Sequence, residues 1–157
     1  MIVTVMGVLA MLGAQAAEPA DLRQPGNVAA ALRTAGYKAE VKVNKSGEPY
    51  VQSATNGANF TIDFFECDGL KDCKSFQIWS WYKKDPLLTP ALANEWNNRY
   101  RFLKVWIDSD GDMREAIDAT VVGGMSQAQF AELVDWYTQL DGQLAKFIEE
   151  KRAAAKK

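Results

Sequence analysis

Apolar and polar positions alternate through four stretches in the first half of the chain. Residues 37–43 place Val41 and Val43 on one face, the period-two signature of a strand. Residues 49–54 and 59–66 repeat it around Asn56-Gly57, a two-residue hairpin signal. Asn44-Lys45-Ser46-Gly47 turns the chain before them. Residues 74–82 are a fourth strand, with Phe76, Ile78 and Ser80 on one face and Gln77, Trp79 and Trp81 on the other. Residues 102–108 and 113–121 form two more around Asp110-Gly111, with Leu103, Val105 and Ile107 sharing a face.

Helical signals punctuate these strands. Asn27 is a candidate cap for residues 28–35, and Gly36 suits the left-handed stop. Thr89 precedes Pro90, a proline placed where a helix needs no N–H, and residues 91–99 continue. Ser126 and Gln129 make a capping box for a last helix over residues 127–151. Its stripe of Phe130, Leu133, Val134, Tyr137, Leu140, Leu144, Phe147 and Ile148 is expected to cover a sheet and to leave surplus apolar surface for a partner. The order is helix, four strands, helix, two strands, long C-terminal helix. That predicts an α+β fold, a mainly antiparallel sheet with helices packed on it.

Residues 1–16 carry a different pattern. The stretch from Ile2 to Leu12 is mainly apolar, and Ala14-Gln15-Ala16 fits a small-residue cleavage site before Ala17. An export signal is expected, although no Lys or Arg precedes the apolar run. It is short for a membrane span of ~20 residues and no lipobox cysteine follows, so no stable membrane anchor is expected. Residues 17–26 read as a linker, 27–150 as a single domain, and 151–157 as a basic, frayed tail. The predicted location is periplasmic or secreted.

Composition narrows the chemistry. The formal charge is −2; the four cations of the last seven residues leave −6 on the rest, which argues against nucleic acid as the partner. The chain has no histidine, which removes every triad built on that base and the commonest zinc ligand. Cys67 and Cys73 bracket five residues between apolar strands. In an exported chain they suggest a disulfide, the other reading being two unpaired thiols. Asp108, Asp110 and Asp112 have the first spacings of a calcium loop, but Met113 stands where its glycine belongs and Ala119 where its glutamate belongs. An acidic hairpin turn is expected instead. Asp63, Glu66, Asp68 and Asp72 read as a solvated rim, and no metal or cofactor is expected.

Several segments resemble the YbjN family of bacterial proteins, labelled sensory transduction regulators. They are Gly36-Tyr37, Asn59-Phe60-Thr61-Ile62, Phe64-Phe65-Glu66-Cys67, Cys73-Lys74-Ser75-Phe76-Gln77, Asn94-Glu95-Trp96-Asn97 through Tyr100-Arg101-Phe102, Asp108-Ser109-Asp110-Gly111-Asp112 and Gly123-Gly124-Met125-Ser126. The resemblance spans about residues 27–148 and implies a fold like type III secretion chaperones, which are dimeric, non-enzymatic and bind other polypeptides. The export signal departs from a cytoplasmic role. The expected function is therefore an exported, non-enzymatic, chaperone-like regulatory module that binds a polypeptide or a second copy. The alternative is a periplasmic small-ligand sensor with an aromatic-lined pocket. Candidate binding residues are Trp79, Trp81, Arg101, Phe130 and Tyr137. For Trp79 and Trp81, packing under a helix is the preferred reading over an open binding face. Trp96 and Trp136 are expected as packing anchors.

Overall fold

The computed structural model describes residues 21–156. The expected signal and its cut between Ala16 and Ala17 lie outside them. The elements are α1 (Pro25–Thr34), β1 (Ala39–Val43), β2 (Pro49–Thr55), β3 (Ala58–Phe65), β4 (Ser75–Tyr82), α2 (Pro90–Arg99), β5 (Lys104–Ile107), β6 (Met113–Thr120) and α3 (Gln127–Ala155). The six strands form one antiparallel sheet in the order β1-β2-β3-β4-β6-β5. The α+β expectation and its element order hold. Because α2 carries the chain beyond the place of β6, β5 ends the sheet and β6 returns to pair with β4.

Local chemistry sets the boundaries. Asn56 and Gly57 have φ of +50° and +81°, the pair a type I′ hairpin requires. Ser126 Oγ accepts from Gln129 N–H at 3.2 Å and Gln129 Oε1 accepts from Ser126 N–H at 2.9 Å, the predicted capping box. Three expectations are corrected. Helix α1 starts at Pro25, with Gln24 extended before it and no side-chain cap. Proline's fixed φ is already helical, so it sets the start; Asn27 instead donates to the Asp21 carbonyl at 2.9 Å. The segment read as a linker also supplies Leu22 to the core. At the other end, residues 151–155 are helical rather than frayed. Lys151 Nζ lies 2.6 Å from Glu95 Oε1 on α2, and Arg152 reaches Asp85 at 3.0 Å.

All three helices lie on one face of the sheet. Phe60 and Phe76 meet Tyr137 and Phe130 of α3 at centroid distances of 5.2 and 5.9 Å. Trp96 of α2 packs edge-on to Phe147 at 5.7 Å and donates its indole N–H to the Leu103 carbonyl at 3.0 Å. By strand register Val51, Phe60, Ile62, Phe76, Ile78, Ile117, Met113 and Val105 share this face. Among the described residues no helix lies on the other face.

Candidate functional site

The fold separates the predicted binding residues into three environments. Phe130 and Tyr137 are fully buried. Sheet and α1 consume that part of the stripe on α3, so neither residue can form a docking surface, and that expectation is corrected. Trp79 and Trp81 point the other way. Register places them with Asp63, Arg114, Ala116 and Lys104 on the face without helices, which corrects the helix-covered reading. Arg101 lies at a third place, the edge of the sheet beside Phe102.

The open face is organised by cations on aromatic rings. Trp79 donates its indole N–H to Asp63 Oδ2 at 2.7 Å, and the Arg114 guanidinium lies 4.6 Å over its ring. Arg114 Nε also donates to Asp108 Oδ2 at 2.8 Å. Lys104 Nζ lies 4.8 Å over the Trp106 ring and 3.7 Å from Asp118. Partial burial raises the Asp63 carboxyl above its ordinary range, against the indole bond and Arg114 charge that lower it. One ring face each of Trp79 and Trp106 is therefore occupied from within the chain, and Trp81 and Phe65 are half-exposed on this side of the sheet.

The edge is different. Phe102 has φ of +72°, a left-handed backbone that ends the extended run before β5. The turn throws its ring outward, half-exposed, onto Trp136 of α3 at 4.7 Å, with the Arg101 guanidinium 4.6 Å from the Phe102 centroid. Trp136 was expected to anchor packing; it is instead 38% exposed. Trp136 also borders a shallow, open cleft of about 580 Å³ lined by Ala119, Thr120, Met125, Ala128, Gln129, Glu132 and Leu133. Exposed aromatic rings beside an apolar cleft are features that a solvated surface does not require and a binding surface does.

The structure also contains a buried polar cluster that was not foreseen. Glu115 is fully buried on the helix-covered face of β6. Tyr137 donates to its Oε1 at 3.1 Å, and among the described residues its Oε2 has no partner. Burial, aided by the charge of Asp141, pushes the Glu115 carboxyl up to about 8. Tyr82 and Tyr137 are held neutral for the same reason, desolvation first and the Glu115 and Asp141 charges second. The sequence signal was present: period-two alternation puts Glu115 between Met113 and Ile117 on one face. Asn97 was also missed, and its partner Val105 lies eight residues on.

The acidic hairpin is structural. Asp108 Oδ1 accepts from the Asp110 and Asp112 N–H groups at 3.0 Å each, and Oδ2 takes Arg114. The Arg114 bond, with those backbone bonds, holds the Asp108 carboxyl below its usual range. Among the described residues no group of three or more His, Cys, Asp or Glu is placed to hold a metal ion. Cys67 and Cys73 are disulfide-bonded. The bridge closes a loop that Cys73 N–H ties to the Arg23 carbonyl at 3.0 Å and Gln24 ties to Asp72 at 2.7 Å.

Comparison with known proteins agrees with this domain. Residues 24–150 match the YbjN family, described as "Putative bacterial sensory transduction regulator". No curated protein and no solved structure matches the chain. The match covers most of the chain, and the protein belongs to the YbjN family.

Proposed function

We propose that this chain is a non-enzymatic regulatory module that acts by holding another polypeptide at the Phe102–Trp136 edge, in the manner of a chaperone. The family's description supports a regulatory role. The observation that carries the binding mode is the half-exposed Phe102 ring stacked at 4.7 Å on Trp136, which itself borders an apolar cleft. Such a surface excludes water around a few large rings, the usual anatomy of a binding hot spot. The absence of histidine from the sequence supports a non-enzymatic reading. The apolar run ending at Ala14-Gln15-Ala16, with the disulfide, supports export to the periplasm or beyond.

The test captures what the oxidised chain, begun at Ala17, holds in a periplasmic extract, alongside Trp136→Ala. One saturable polypeptide, retained by the parent chain and lost by the variant, supports the reading. A co-purified small molecule with no polypeptide replaces it with a small-ligand sensor. Identical capture by both chains removes the edge from the function. N-terminal sequencing of the periplasmic form should begin at Ala17.

A further inference from the structure

The outer rim of the sheet is sealed along one part and open along the next. In an antiparallel ladder successive residues turn their backbone groups to opposite sides. Val105 of β5 faces outward, and Asn97 meets it from α2. Val105 N–H donates to Asn97 Oδ1 at 2.9 Å, and Asn97 Nδ2 donates to the Val105 carbonyl at 2.7 Å. The amide of Asn97 thus takes the place of one residue of a further strand. Pairing of β5 with β6 stops at Lys104↔Ala116. With Val105 outward, Lys104 faces β6 and Ala116 faces β5. The same alternation turns the N–H and C=O of Asp118 and Thr120 toward the side that β5 no longer covers. Among the described residues no loop backbone group bonds to them there. Where β5 would extend to cover them, left-handed Phe102 has taken the chain away.

Unpaired strand edges recruit extended chains unless they are blocked. The geometry points to strand addition: an extended segment of another polypeptide pairs with residues 118–120. This rests on the polypeptide-binding reading and names its mode. Ala119 faces the helices and lines the cleft, so the incoming residue opposite it enters between Met125, Leu133 and Trp136. The neighbours of that residue make the main-chain bonds and face the other side of the sheet. Glu132 lines the cleft and Asp135 lies one turn farther along α3, both on the helix side, whereas Asp118 is on the opposite face, met by Lys104 at 3.7 Å and Gln77 at 2.7 Å. Side chains two positions from that residue return to the helix side, so a segment with Lys or Arg there complements Glu132 and Asp135. A second copy would set Glu132 and Asp135 against their own images, which disfavours self-pairing.

The test selects displayed random nine-residue peptides on the full oxidised chain. Their affinities are then compared on Thr120→Pro and Trp136→Ala. Thr120→Pro deletes an outward N–H and keeps the backbone ladder to β4, a place where an edge strand tolerates proline; it also removes the Thr120 hydroxyl bonds to the Lys74 carbonyl and from Val122 N–H, each 3.3 Å, so Thr120→Val is the control for their loss. Strand addition predicts peptides with an apolar residue and Lys or Arg two positions from it, which bind about tenfold more weakly to Thr120→Pro. They also weaken when their own alternate amides are N-methylated, an arm that does not depend on how the variant folds. On binding, exchange of the Asp118 and Thr120 amides slows. Peptides that ignore Thr120→Pro and N-methylation but are lost with Trp136→Ala overturn strand addition and leave the cleft as the binding site. Peptides indifferent to both variants, or no enrichment over the unselected pool, overturn both readings. A concentration-dependent dimer abolished by Thr120→Pro overturns the proposed occupant in favour of a second copy.

Discussion

Replacing Glu115 by glutamine should stabilise the protein above neutral pH and change how its stability depends on pH. Glu115 is fully buried, one of its oxygens has no partner among the described residues, and Asp141 stands beside it. The folded carboxyl keeps its proton up to about pH 8, whereas the ordinary value is 4.5. Between these values the unfolded chain releases a proton that the folded chain retains. The contribution of Glu115 to stability is therefore fully present below pH 4.5 and is lost as pH rises through about 8. The slope is about 1.4 kcal/mol per pH unit, and the whole interval amounts to about 5 kcal/mol. That is comparable with the total stability of an ordinary domain. In Glu115→Gln the new side chain would keep the acceptor for Tyr137, add a donor that can face Asp141, and never ionise. Urea unfolding of both proteins at half-unit steps from pH 5 to 9 measures the difference. The variant should gain on the parent steadily up to about pH 8, and the difference should then level off. Because Asp63 is raised in both proteins and Asp108 is lowered in both, their contributions cancel in the comparison. Two parallel curves across this range would mean that Glu115 is ionised in the folded protein, and the buried cluster would be wrong.

Other substitutions probe separate parts of the structure. Tyr137→Phe removes the bond that lowers the Glu115 carboxyl, so carboxyl titration followed by NMR should move Glu115 further up. Asn97→Ala leaves both outward groups of Val105 unpaired and should cost about 1–3 kcal/mol in urea unfolding, with faster exchange of the Val105 amide. Reducing the bridge between Cys67 and Cys73, which lie six residues apart, should cost about 2 kcal/mol in the chain-entropy picture. It should also speed amide exchange at the start of α1, because Cys73 N–H holds Arg23. Removing residues 151–157 should raise exchange in the last turns of α3 and return the Glu95 carboxyl toward its ordinary value, since its bond to Lys151 is the main cause of its lowering.

Much of the fold was legible because its signals are local. Asn56-Gly57, the Ser126 and Gln129 box, and the alternation through 74–82 each act within a few residues. What the sequence hid was the choice between faces. Both sides of β4 are rich in apolar residues, so alternation groups Trp79 with Trp81 without saying which side the helices take. The stripe on α3 showed that Phe130 and Tyr137 are apolar in phase, but not that sheet and α1 would use them up. Its length suggested a spare binding face, whereas the exposed ring is Trp136, outside that stripe. Long-range pairings were also hidden. Lys151 and Arg152 looked like a loose tail because Glu95 and Asp85 lie 56 and 67 residues away. Phe102 looked like the first residue of a strand; its left-handed backbone, which creates the exposed stack and frees the edge of β6, is set by the loop from α2 into β5.

The central claim is that this chain acts by holding a polypeptide at the Trp136 edge. Photocrosslinking in the living bacterium addresses it, with p-benzoylphenylalanine in place of Leu133 in the cleft or Trp81 on the open face of the sheet. The account predicts a discrete covalent adduct with one polypeptide from position 133 and none from position 81. An adduct from position 81 alone, or from neither position, would contradict it.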